Sequence, residues 1–288
     1  IARKFCHKND IPFIIDVRDY WPDVFYKLLP SFFKPFISIL FFWFNYSLNI
    51  SLNLSYMIIT PFLTGKDWAE KRLHSTVKAR KLIKIIPFTT PKRNISNINE
   101  LQEYRLRKSQ QNIVIAYVGT ISNMANIRLI LKIAKISQEK KKSITFLICG
   151  DGPEAKLMRS YAKDLDNVVF KGWVNENEMI QLLREAHFGI LTYQKDHLVG
   201  GIPNKFADYL SFRLPIITNT IGAVGDLVKE HDLGFFFKDS EIDKIISRIE
   251  NLVKNKDRYK DVCNNVEKFY LMNHSRDTVV KKFDELLP

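Results

Sequence analysis

Residues 113–152 read IVIAYVGTISNMANIRLILKIAKISQEKKKSITFLICGDG, and this stretch decides the fold. A short continuous apolar strand, 113–118, meets Gly119. An amphipathic helix over about 126–138 follows, and a second apolar strand, 144–149, meets Gly150-Asp151-Gly152-Pro153. The same alternation continues downstream: helix 154–165, strand 168–171 and Gly172, helix 176–186, strand 187–192, helix 204–212, strand 214–218. Helices after residue 240 finish the chain. Short apolar strands alternating with amphipathic helices predict a parallel sheet covered on both faces, an α/β architecture.

Working outward, the upstream part is less regular. Ile11–Val17, Ser55–Thr60 and Leu82–Ile86 read as strands, with a helix over Phe62–Leu73 after Pro61. Residues 88–99 are polar, contain proline and show no hydrophobic period, which marks a linker. A length of 288 residues suits two domains, each with its own core. The boundaries expected are 1–108, 109–270 and a C-terminal helix, 271–288, packing back on the first domain. The chain opens on Ile1 in mid-pattern, so part of the first domain is expected to lie upstream. Hydrophobic residues at 46% and charged residues at 26% exclude a disordered chain.

The net charge of +13 is uneven, with +10 in residues 1–110 and +3 in residues 111–288. A basic excess in one part points to an anionic surface as partner, unless it is only a general basic bias. Basic-aromatic nucleic-acid modules are absent, so no nucleic-acid partner is expected. Cys6, Cys149 and Cys263 are far apart, with no CxxC spacing and no His/Cys cluster, which predicts reduced thiols and no zinc site.

In a parallel α/β sheet, ligands sit at the carboxyl ends of the strands, where strand order reverses. Those ends carry Gly119-Thr120, Gly150-Asp151-Gly152-Pro153, Gly172-Trp173-Val174 and the loop leading to Gly200-Gly201-Ile202-Pro203-Asn204-Lys205. Gly200-Gly201 permits close backbone approach to a ligand. Pro203 suits the first turn of a helix, and a helix starting there aims its free N–H groups and positive dipole end at a phosphate. Lys205 adds a full positive charge beside that terminus, and Asp208 lies one turn on along the same face. A cation and a helix terminus favour departure of a diphosphate leaving group. The bland alternative makes Lys205 and Asp208 an i,i+3 surface pair. Gly150–Pro153 reads equally as a tight strand-to-helix turn, and Trp173 equally as a core residue.

GGIPNKFADYL at 200–210 resembles the donor-binding signature of retaining glycosyltransferase family 4, of the capsule and O-antigen branch. YVGTIS at 117–122, LICGDGPE at 147–154, VVFKGWV at 168–174 and IDVRDYWPD at 15–23 fall in that family's order. The resemblance implies a GT-B fold, two Rossmann-like doubly wound domains with the N-terminal one incomplete. It further implies a nucleotide-sugar donor, UDP-sugar being the commonest, held by Gly119, Thr120, Gly150, Asp151, Gly152, Trp173, Val174 and residues 200–205. Asp208 would take the ribose hydroxyls and Lys205 the diphosphate. Asp16, Arg18, Asp19 and Trp21 would line the acceptor side, with Asp19 as a catalytic candidate; an Asp–Arg pair stabilising its own turn is the rival. Two departures from the family stand out. Gly200 stands where a second carboxylate is usual, and Thr120 and Asn126 fall near its usual Arg and Lys. Arg128 is a candidate to compensate, with a helical surface role as the alternative, and His197 is the one histidine with a place in the donor loop. No cofactor and no metal are expected, since the nucleotide-sugar is a substrate and fixed positive charge can take a metal's place at the diphosphate.

Residues 26–50 (YKLLPSFFKPFISILFFWFNYSLNI) hold an apolar run, Phe36–Phe44, too short for the ~20 residues a spanning helix needs. With Phe36, Phe41, Phe42, Trp43 and Phe44 in the run and Lys27 and Lys34 beside it, it reads as an interfacial membrane segment. A buried helix is the alternative. The function expected is transfer of a sugar, with retention, onto a saccharide or polyprenyl-diphosphate-linked acceptor in cell-surface polysaccharide synthesis. The expected place is the cytoplasmic side, peripheral on the inner membrane face. A non-catalytic scaffold and a nucleotide-sugar epimerase of the same fold are the rivals.

Overall fold

In the computed structural model, residues 2–23, 36, 39–91, 98–194 and 201–286 are described. Most of the aromatic stretch before Phe36, the middle of the 88–99 linker, His197 and Gly200 lie outside them. The chain divides into two compact units, residues 1–88 with the end from Lys282, and Thr89–Lys281.

The first unit carries helix α1 (Ala2–Lys8), strand β1 (Ile14–Asp16), helix α2 (Phe42–Leu54), strand β2 (Met57–Thr60), helices α3 (Leu63–Glu70) and α4 (Ser75–Lys78), and strand β3 (Leu82–Ile85). Its sheet runs β1-β2-β3, all parallel, with Ile14 opposite Met57 and Met57 opposite Leu82. The central strand is wholly buried, while β1 and β3 are largely exposed. A small core of Val17, Leu52, Ile58, Ala69 and Leu73 joins the sheet to α2 and α3.

The second unit begins with helix α5 (Ile98–Ser109) and strand β4 (Ile113–Val118). Helix α6 (Ile127–Glu139), strand β5 (Ile144–Cys149), helix α7 (Ala155–Tyr161), strand β6 (Val168–Gly172), helix α8 (Glu176–Glu185) and strand β7 (Phe188–Leu191) follow. Then come helix α9 (Asn204–Ser211), strand β8 (Ile216–Thr218), helix α10 (Ala223–Glu230), strand β9 (Gly234–Phe236), and helices α11 (Ile242–Lys254), α12 (Lys256–Asn273) and α13 (Arg276–Asp284). The sheet is parallel throughout in the order β6-β5-β4-β7-β8-β9. That is the 3-2-1-4-5-6 order of doubly wound nucleotide-binding folds, reversing between β4 and β7. The expected α/β class is what the chain adopts. Helix α10 and strand β9 go beyond the sequence reading. Helix α7 ends four residues before the expected 165, in a turn that begins at Ala162.

Burial follows strand alternation. On β4, Ile113, Ile115 and Tyr117 enter a core formed with α6, α7 and α11, while Ala116 faces a second core formed with α8, α9, α10 and α12. Burying each aliphatic side chain stabilises by about 1.5–3 kcal/mol, and α6 buries Ile127, Leu129, Ile130, Leu131 and Ile133. The Asn126 side chain caps α6 by accepting from the Leu129 N–H, and Asn175 with Glu178 forms a capping box on α8.

One buried polar cluster ties α5 to this unit. Arg105 is fully buried and donates to the carbonyls of Leu183, Arg184 and Phe212, at the ends of α8 and α9. His187 accepts from the Val114 N–H at Nδ1 and donates from Nε2 to the Arg105 carbonyl. This pairing uses the neutral ring, and burial pushes the imidazole down to about 4. The unfolded chain therefore takes up a proton that the folded one refuses. The stability involved is full above about pH 6.5 and is lost as pH falls toward 4. Urea unfolding should show a loss on the order of 3 kcal/mol across that window, and His187→Gln should flatten the profile. An equally steep profile in the variant would contradict this assignment.

Candidate donor site at the switch point

Strand order reverses between β4 and β7, the place where doubly wound sheets receive ligands, and helix α9 brings Lys205 to the end of β4. Pro203 takes an extended conformation as N-cap, φ −72° and ψ 149°, and α9 begins at Asn204 rather than at Pro203. Helix geometry leaves its first N–H groups without intrahelical acceptors. Gly201, Ile202 and Pro203 are half-buried, Asn204 is exposed and Asp208 is half-buried.

Helix α9 is fixed by Tyr209. Its hydroxyl accepts from the Val118 N–H at 3.0 Å and donates to the Ile190 carbonyl at 3.3 Å, bridging β4 and β7 at the reversal. The ring lies on Gly189, where an added Cβ would sit 2.4 Å from ring carbons. Helix α9 can approach the sheet this closely because residue 189 has no side chain.

Lys205 is thereby carried over the end of β4. Its ammonium donates to the Tyr117 hydroxyl at 2.9 Å, and that hydroxyl donates to the Thr120 carbonyl at 2.8 Å. The same nitrogen lies 4.2 Å from the Tyr117 ring centroid and 5.4 Å from that of Tyr193. Among the described residues no carboxylate lies within ion-pair distance of it, so the ammonium is not half of a surface i,i+3 pair. Burial pushes the Lys205 amine down to about 8 and the Tyr193 phenol up to about 12.

Gly119 and Gly150 stack their backbones beneath the ammonium. Gly119 has φ 140°, and a Cβ there would lie 2.9 Å from Lys205 Nζ; Gly150 has φ 135°, and a Cβ there would lie 2.0 Å from the Gly119 carbonyl oxygen. Asp151 turns back on its own loop, accepting from the Gly152 N–H at 2.8 Å. Thr120 and Asp151 are exposed at this edge. Trp173 is 76% exposed, which corrects the core reading, and Val174 is half-buried.

Lys205, Gly119, Thr120, Gly150 and Gly152 are thus brought together at one edge of the sheet. Gly152 joins by its own close approach, since a Cβ there would lie 2.5 Å from the Ile121 carbonyl oxygen. In the first unit, Arg18 donates to Asp16 at 2.7 Å, as the turn-stabilising alternative requires, and Asp19 and Trp21 are exposed. Sequence reasoning missed the part played by three tyrosines and one asparagine. Asn219 accepts from the Tyr193 N–H and donates to the Tyr193 carbonyl and to Asp239, tying the loop after β7 to the end of β8. No alternation pattern marks such residues, because their polar atoms act at strand ends. Among the described residues no group of three His, Cys, Asp or Glu forms a metal cluster.

A doubly wound sheet with a cation and stacked glycines at its switch point has the architecture of the nucleotide-binding folds. The sequence model described as "Glycosyl transferases group 1" matches residues 99–269, and the chain belongs to that family. No curated protein matches it. Anabaena HepE in complex with UDP-glucose is similar over 99% of this chain and 74% of its own, at 13% identity and a TM-score of 0.68. S. aureus TarM, solved with fondaparinux, alpha-GlcNAc-glycerol and UDP, is similar at 14% identity and a TM-score of 0.62. That match covers 82% of this chain but only 44% of the S. aureus chain. WaaG, a glycosyltransferase involved in lipopolysaccharide biosynthesis, gives 12% identity and 0.58, over 79% of this chain and 62% of its own. At these identities the likeness shows the fold, GT-B with Rossmann-like units.

The Gly119 contact can be tested alone. Gly119→Ala forces a side chain into a positive-φ position against Lys205. It should cost about 1–3 kcal/mol in chemical denaturation. Unchanged stability would mean that the loop is not held as described.

Proposed function

We propose that this chain transfers a sugar from a UDP-sugar to a saccharide or lipid-linked acceptor, with retention at the anomeric carbon, as a family 4 enzyme of cell-surface polysaccharide synthesis. One observation carries the reading: a half-buried ammonium without a described carboxylate partner, at the switch point of a doubly wound sheet. Such a charge favours an arriving diphosphate and stabilises it as the sugar–phosphate bond breaks. Lys205, the start of α9 and the Gly119-Thr120 and Gly150–Gly152 backbones take the diphosphate. Asp208 takes the ribose hydroxyls, and Trp173 and Val174 the base. The solved relatives in complex with UDP or UDP-glucose support this choice of donor.

On the acceptor side stand Asp16, Arg18, Asp19 and Trp21, all in the first unit. Asp19 is the candidate catalytic group, and its exposure leaves it accessible to an acceptor. Attachment to an anionic membrane face completes the proposal. Phe36, Leu40, Phe42 and Trp43 are each more than half exposed, and residues 1–110 carry +10. No helix among the described residues is long and apolar enough to cross a membrane. Interfacial attachment by aromatic side chains and basic charge is the mode these residues suit.

Calorimetry with UDP tests the donor site. Lys205→Ala should lower turnover by about 10²–10³ with folding intact, and Asp208→Asn should weaken UDP binding more than the chemical step. The ammonium is the binding form, so UDP affinity should fall as pH rises through about 8. Binding above that pH should take up a proton, visible in buffers of different ionisation enthalpy. A pH-independent affinity, or full activity in Lys205→Ala, would sink the assignment. For the membrane, the protein should sediment with anionic liposomes. The triple change of Phe41, Phe42 and Trp43 to Ser should leave a folded protein that salt washes off. A folded parent that ignores anionic vesicles overturns the membrane reading.

A further inference from the structure

Resting on the reading of Lys205 as the diphosphate cation, we propose that Tyr117 and Tyr193 form an aromatic cradle that positions its ammonium. Tyr117 is the positioning residue that ties this charge to the Thr120 loop. Neither tyrosine is explained by packing alone. Tyr117 is fully buried on the core face of β4, yet its hydroxyl reaches the strand end and is used twice, accepting from Lys205 and donating to Thr120. Its one proton is committed to the Thr120 carbonyl, which leaves the oxygen lone pairs facing the ammonium. The hydrogen bonds therefore run in one direction, from Lys205 through Tyr117 to the loop that follows Gly119.

Tyr193 closes the other side. Its ring lies 5.4 Å from the same nitrogen, within the range where a ring face attracts a cation. Its backbone is pinned by Asn219 through both its N–H and its carbonyl, so the ring stands on a fixed support. The groups around the ammonium are then the Tyr117 hydroxyl and ring from β4, the Tyr193 ring from the segment after β7, and the Gly119 backbone. Asp208 lies one turn along its own helix. This surround holds a cation by weak, neutral contacts, so the charge is kept in place without being neutralised. A carboxylate partner would hold it as firmly but would compete with the incoming phosphate. The cradle does not compete, because an arriving anion adds to the hydrogen bond and ring contacts instead of replacing an ion pair.

The arrangement predicts how the amine responds to each loss. Removing the Tyr117 hydroxyl takes away an acceptor that favours the charged form, and the ring remains to keep water out. Lys205 should then lose its proton at lower pH than in the parent. Replacing Tyr193 by Leu keeps apolar volume and removes the ring face, with the same direction of change. A merely structural role for either tyrosine would lower the melting temperature without moving the amine.

The test reads the amine directly in the intact chain. Lys205 is labelled with acetic anhydride in pulses across pH 6–11, and the extent at this residue is followed by peptide mass spectrometry. The parent midpoint should lie near the value that burial gives, about 8, and Tyr117→Phe and Tyr193→Leu should each fall below it. UDP affinity in Tyr117→Phe should weaken about tenfold or more at pH 7, as for loss of a hydrogen bond to a charged group. If Tyr117→Phe does not fold, the midpoint in Tyr193→Leu decides. Midpoints unmoved in the folded variants overturn the cradle, whatever UDP does. Failure of the parent to bind UDP sinks the donor reading instead, and the labelling midpoints still judge the cradle.

Discussion

A parallel sheet buried on both faces can meet a ligand only at its ends, and in the second unit everything depends on how the β4 and β7 ends are held. Tyr209 holds them. One hydroxyl satisfies a donor on β4 and an acceptor on β7, at the place where the reversal of strand order leaves backbone groups to be paired. An unmade bond at such a buried end would cost about 1–3 kcal/mol, so the same atom that stabilises the reversal also fixes α9. Lys205 stands four residues before Tyr209 on that helix. The position of the cation is thus a consequence of the way the sheet solves its own hydrogen-bond problem.

The stacked glycines belong to the same solution. Gly119 and Gly150 bring two strand-end loops into backbone contact, which brings the floor of the site within reach of the lysine. The charge itself remains underpaired. Ordinary folds remove such a group by pairing it or exposing it, whereas here aromatic faces and a phenol oxygen hold it half-buried. The strand ends around Lys205 therefore store an electrostatic need that an arriving anion would meet.

Much of this was legible in the sequence. The strands β4 to β8 announce themselves as short apolar runs ending in Gly or a polar loop, and GGIPNKFADYL places a cation at a helix start. Strand β9 was not legible, because Gly234 opens it and its two phenylalanines are neighbours, all three residues half-buried, with neither alternation nor a fully buried run to mark it. Helix α10, whose N-cap is Gly222, follows a stretch with no apolar run to mark it. Tyr117 was hidden for another reason. On β4 it alternates with Ile113 and Ile115 and so reads as core. Its hydroxyl gains a purpose only when Lys205 arrives from a helix far along the chain. For Trp173 the sequence left two readings open, a base contact or core, and the turn at Gly172 removes the second by carrying the ring into solvent.

The contact between Tyr209 and Gly189 gives this region a history as well as a shape. Any side chain at 189 meets the tyrosine ring within 2.4 Å, so residue 189 cannot change first. Position 209 can shrink first, at the cost of the hydroxyl bridge between β4 and β7. Sequence change here is therefore ordered. A lineage that lost the ring would be free to fill the strand, and once the strand was filled the ring could not return. Among descendants of one such chain, a bulky residue at 189 would record that the tyrosine had already gone.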